Sequence, residues 1–175
     1  MINRFLKLLV IFLVLVIQIG WLGNFDFMRT KLNILIVTLT FFIFLFDFKE
    51  LIGWTLLAGY IMDLYSSLPF GLISISLIIS LIFSYFLFRN YFTNRSLISL
   101  SILVASTTAA FHLVIIFLGW LAGQIGFSFY EFSNSWVTSS IWQIVFNAIL
   151  AAISFSVYTY LTNRLKRNFL VKGNL

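Results

Sequence analysis

Asp63 closes an apolar run and opens the string Asp63-Leu64-Tyr-Ser66-Ser67-Leu-Pro69-Phe-Gly71, with Gly59 one helical turn ahead of it. A carboxylate so placed has two uses. It binds a proton, a cation or a polar substrate, or it latches one helix to the next by accepting hydrogen bonds. The last turn of a helix is the negative end of its dipole and disfavours an anion there, so donors must lie nearby. The Ser66 and Ser67 hydroxyls and the free amides at the start of the following helix are the expected donors, with Pro69 preset for helix entry near the first turn. His112 has no Cys, Asp or Glu within a turn and reads as a neutral hydrogen-bonding group between helices, with metal ligation or proton relay as the alternatives. Gln143 and Asn147, one turn apart, read as interhelical hydrogen-bonding residues, and Glu131 as a solvated loop acid. No nucleophile–base pair, paired intramembrane carboxylates, metal-ligand cluster or phosphate loop is present, so neither catalysis nor a cofactor is expected.

The elements that position these groups are membrane helices. The chain is 62% hydrophobic and 9% charged, with 22 Phe and 5 Trp in 175 residues, and its mean hydropathy is +1.08. Soluble domains are about 45–50% apolar and about 25% charged. Apolar runs cover Phe5–Leu22, Leu32–Phe46, Leu51–Leu64, Phe70–Phe88, Leu97–Leu121 and Trp136–Leu161. A span needs about 20 mainly apolar residues. The expected fold is therefore all-α and integral to the membrane: one domain over residues 1–175, six transmembrane helices, and a short basic tail from about 162 to 175. The second and third runs are short. The third spans if Phe48 joins it and Lys49 and Glu50 reach for the headgroups, and the alternative is five helices with a re-entrant pair. Arg4 and Lys7 precede the first run with no cleavage site after it, which reads as a retained helix.

With six spans, nine of the eleven Lys and Arg residues share one side with both termini, leaving Arg29 and Lys31 opposite. The positive-inside rule makes that side cytoplasmic and sets Asp63 toward the outer face. The net charge of +6 is then explained by topology and by anionic lipid at Arg164, Lys166, Arg167 and Lys172, without nucleic acid. The absence of Cys excludes disulfides and thiolate metal sites.

Small residues recur every four positions at Ser76, Ser80 and Ser84, at Ser101, Ala105 and Ala109, and at Ala148, Ala152 and Ser156, with a Gly119/Gly123 pair at a rim. Such seams let helices approach closely in lipid, and here they suggest a tight core of the fourth, fifth and sixth helices.

The string Gly59-x-x-x-Asp63-Leu64-x-x-x-x-Pro69-x-Gly71 after a short third span resembles the MreD family of bacterial rod shape-determining membrane proteins. Gln18 near the end of the first helix and Asn147 in the last also fit. The family often carries Pro before an Asp or Asn opening the second helix, where this chain has Leu32-Asn33, and Pro five residues after the last-helix Asn, where it has Ala152. The resemblance implies a non-enzymatic, multi-pass subunit of the cell-elongation machinery in the bacterial inner membrane. It would act with an MreC-like protein, and through it with MreB filaments and the RodA–transpeptidase synthase of peptidoglycan. It also implies a fold similar to the substrate-binding subunits of energy-coupling-factor transporters, often paired as homodimers. A vitamin-binding subunit of that transporter class is the alternative implied.

Overall fold

The computed structural model describes residues 2–25, 31–92, 96–124 and 134–172. Among them every regular element is a helix. We label these α1 (Ile2–Val16), α2 (Ile34–Phe42), α3 (Phe48–Leu64), α4 (Leu72–Tyr91), α5 (Leu97–Gln124) and α6 (Asn134–Lys172). Between α1 and α2 the chain loosens into a π turn, Ile17–Trp21, and then tightens into a 3₁₀ turn, Leu22–Asn24. Among the described residues three stretches are long and apolar enough to cross a membrane: α4, α5 and the Trp136–Tyr160 part of α6. The chain is thus a helical membrane protein. Its large outward side chains, Phe12, Phe86, Leu113 and Ile153 among them, are exposed because the surrounding medium is as apolar as they are.

The helices from α3 to α6 pack as sequential neighbours, and α2 touches every other helix. Leu35, Ile36, Val37, Leu39, Thr40 and Phe42 are all buried on this element. At nine residues α2 is only about 14 Å long, half of the roughly 30 Å hydrocarbon layer. Over the short Leu32–Phe46 run, expected to form the second span, the helix covers Ile34–Phe42 alone and turns follow it. Burial inside protein selects the same apolar residues as burial in lipid, so a central half-length helix and a span look alike in composition.

The expected core of small-residue seams is corrected too. Ser76, Ser80 and Ser84 are fully buried along α4, as anticipated. On α5, however, the buried face is Leu100, Leu103, Val104, Thr107, Thr108, Phe111, Ile115 and Gly119. Ser101, Ala105 and Ala109 are half-buried at its side, and Gly123 is exposed. On α6 the buried row is Ser140, Gln143, Asn147 and Ala151, one position off the expected seam. Ala148 and Ala152 are half-buried there and Ser156 is exposed. The buried stripes of α5 and α6 meet one another through Thr108 and Asn147, and that of α5 meets α4 through Thr107 and Ser84. A half-length central helix leaves volume that longer side chains of its neighbours must fill at close-packed density.

Candidate functional site

Asp63 is buried at the end of α3. Its two carboxylate oxygens accept from the backbone N–H groups of Ile73 (2.9 Å) and Ser74 (3.1 Å) and from the Ser74 hydroxyl. Ile73 and Ser74 are the second and third residues of α4, the positions an N-cap side chain serves. The capping position itself is Gly71, which has no side chain and a left-handed φ of +90°. Asp63 therefore caps α4 from the neighbouring helix. The positive end of the α4 dipole and three donors offset the unfavourable end of α3.

The rest of the motif makes this approach possible. A Cβ on Gly59 would stand 2.7 Å from the Ser74 Cα, so only glycine lets α3 lie so close to α4. The Pro69 carbonyl accepts from Leu72 N–H in a tight turn (3.2 Å). Pro69 lies ahead of the helix and not in its first turn, because Gly71 takes the capping place. Leu64 points outward and is exposed. The expected donors Ser66 and Ser67 are also corrected: Ser66 Oγ accepts from Leu68 N–H within the turn, and Ser74, unremarked in the sequence, supplies the hydroxyl. A free helix start offers amides pointing along its axis, whereas the turn serines sit beside the carboxylate's own helix end.

A second polar cluster surrounds the start of α2. Gln18, in the π turn, accepts from Ile34 N–H (2.9 Å) and donates to the Leu32 carbonyl (3.3 Å). Asn147 accepts from Asn33 N–H (2.9 Å) and donates to Thr108 Oγ1 (3.1 Å). Asn33 caps its own helix by accepting from Ile36 N–H (3.1 Å). Non-helical backbone inside a membrane must have its polar groups paired within protein, and these three carboxamides do that for the Leu32 carbonyl and the N–H groups of Asn33, Ile34 and Ile36. Gln18 was singled out by resemblance alone, whereas Asn147 was already expected to make interhelical hydrogen bonds. Asn33 was noted only as the residue opening the second helix and Thr108 carried no signal, since the Asn147 that meets both stands far away in sequence.

One turn earlier on α6, Gln143 Oε1 lies 2.7 Å from His112 Nε2, and Ser140 Oγ lies 3.3 Å from Nδ1. The ring also meets Trp136 edge to face, with centroids 5.2 Å apart. His112 thus joins α5 to α6, as expected of an interhelical group. Thr107 donates to Ser84 Oγ (2.6 Å), tying α5 to α4. Ser76 Oγ is the buried side-chain oxygen without a partner among the described residues.

A shallow cleft of about 660 Å³ opens between the Ser67–Leu72 segment and Leu118, Leu121 and Ala122 near the end of α5. Its lining side chains are apolar except for Ser67. Among the described residues no three His, Cys, Asp or Glu side chains group to hold a metal. Glu131, Arg29 and Arg95 lie outside the described residues, as do the side chains of Arg164, Lys166, Arg167 and Lys172. Compared with protein-family models, curated proteins and solved structures, the chain gives no match in any of the three.

Proposed function

We propose that the chain is a non-catalytic membrane scaffold of the MreD type. In this reading it binds an MreC-like membrane protein and helps to place lateral peptidoglycan synthesis, and so keeps a rod-shaped cell rod-shaped. The observation that carries the reading is the engagement of Asp63. A carboxylate whose oxygens are filled by Ile73, Ser74 and its hydroxyl holds two helices together and is not offered to a proton, cation or substrate. Gln18 and Asn147 are engaged in the same way with backbone, so the motif residues serve to shape a surface.

The topology belonging to this reading has six crossings, with half-length α2 supplying the helical part of the second, and both termini in the cytoplasm. Nine of the eleven basic residues then face anionic lipid on the inner side. MreB filaments and the RodA–transpeptidase synthase are reached through the MreC-like partner, and pairing as a homodimer fits the same frame.

The cleft beside Gly71 favours a second reading, a vitamin-binding subunit of an energy-coupling-factor transporter. Its volume lies in the ligand range of about 300–1,000 Å³, although its side chains give a vitamin one hydroxyl to bond. Two measurements on the purified chain separate the readings. Co-purification of a single-span, MreC-like partner, with rounding of a rod-shaped host on depletion, is the expected result. Saturable submicromolar vitamin binding without such a partner would replace the scaffold by the transporter subunit.

A further inference from the structure

The polar cluster around α2 sits deep within the bundle. Asn147 stands midway along the membrane-length stretch Trp136–Tyr160 and is fully buried. The nine-residue α2 therefore starts near mid-membrane. We propose that Gln18 and Asn147 form a latch on the start of α2, and that its release opens a water-filled notch down to Leu32–Ile34.

Three observations carry this. The groups that hold the Asn33 and Ile34 N–H groups and the Leu32 carbonyl are two neutral carboxamides, one from the π turn after α1 and one from α6. At that depth lipid supplies no substitute partner, so the backbone is either latched or hydrated, and a half-open state leaves bare polar groups. Such an element has two discrete arrangements. Second, Asn33 caps Ile36 with its own side chain, so α2 keeps its helix start when the latch is open. Third, Gln18 reaches out from a π turn closed by Leu22 N–H to the Ile17 carbonyl. Shifting the bonds of that turn by one acceptor, the last from Leu22 N–H to the Gln18 carbonyl, restores an α turn and moves the chain beyond it by one residue, a defined step for withdrawing the carboxamide.

The chain has no native Cys, so single introduced thiols report the latch. The full chain in nanodiscs, which expose both faces, is labelled with a water-soluble maleimide at Leu32→Cys. Asn24→Cys serves as the exposed reference and Ser80→Cys as the buried one. Leu32→Cys should react at least about tenfold more slowly than Asn24→Cys in the otherwise native chain. Adding Asn147→Leu should bring it close to the exposed rate while Ser80→Cys stays protected. Gln18→Leu, which leaves the α5–α6 bonds in place, should give a rise of the same order, and the double variant little more. The proposal is overturned if Leu32→Cys is already as reactive as Asn24→Cys. It is also overturned if neither substitution changes its rate, or if Ser80→Cys rises in parallel, since the bundle would then be opening as a whole.

Discussion

Gly59 and Ser74 define how closely α3 approaches α4: a Cβ added to Gly59 would lie 2.7 Å from the Ser74 Cα. The same Ser74 gives both its amide and its hydroxyl to Asp63, one turn beyond Gly59. Close approach and hydrogen bonding are thus one device, and neither survives without the other.

Gly59→Ala should accordingly destabilise the chain by about 1–3 kcal/mol through overpacking against backbone that cannot give way. Gly53→Ala, on the same helix with open space around it, should be neutral or stabilising by up to about 1 kcal/mol. Thermal unfolding of both variants in the same detergent checks the contrast.

Removing the carboxylate should cost more than altering it. Asp63→Ala leaves two amides and a hydroxyl without their acceptor, each unsatisfied group costing about 1–3 kcal/mol. Asp63→Asn keeps one acceptor oxygen and should fall between. Unfolding midpoints and partner recovery should decline together across the series. Equal loss of partner binding in both variants with unchanged stability would instead assign Asp63 a charge-dependent role.

Gln18→Leu and Asn147→Leu should each destabilise by roughly 1–3 kcal/mol, because each strips a backbone group at membrane depth. Residues serving one hydrogen-bonded segment do not add. A double-mutant cycle should therefore give a loss smaller than the sum of the single losses, by about 0.5 kcal/mol or more. Strict additivity would mean that the two side chains act on α2 independently.

Enlarging small residues should separate the two seams. Ser80 is fully buried, and Ser80→Leu should cost about 1–3 kcal/mol or prevent folding. Ala105 is half-buried beside the packed face of α5, and Ala105→Leu should be tolerated within about 1 kcal/mol. Expression and unfolding in detergent distinguish them.

Sidedness follows from the basic residues. In intact cells Asn24→Cys and Ser67→Cys should react with an impermeant thiol reagent from outside, and Asn174→Cys only after permeabilisation. Labelling of Asn174→Cys from outside would overturn the even number of crossings.

The sequence by itself determined the class of the protein: an all-helical chain too apolar for water, with helix breaks close to their observed places. It also marked Asp63 as the acid in need of donors and pointed to the amides opening α4. These features follow from local composition and from the dipole at a helix end, which act over a few residues. Tertiary structure alone decided that α2 is a buried half-length helix, because lipid and protein interior select the same side chains. It alone paired Asn33 with Asn147, 114 residues apart, and turned the α5 and α6 stripes one position away from their small residues. Contacts over such separations depend on which helices become neighbours, and neighbours are chosen by packing the whole bundle.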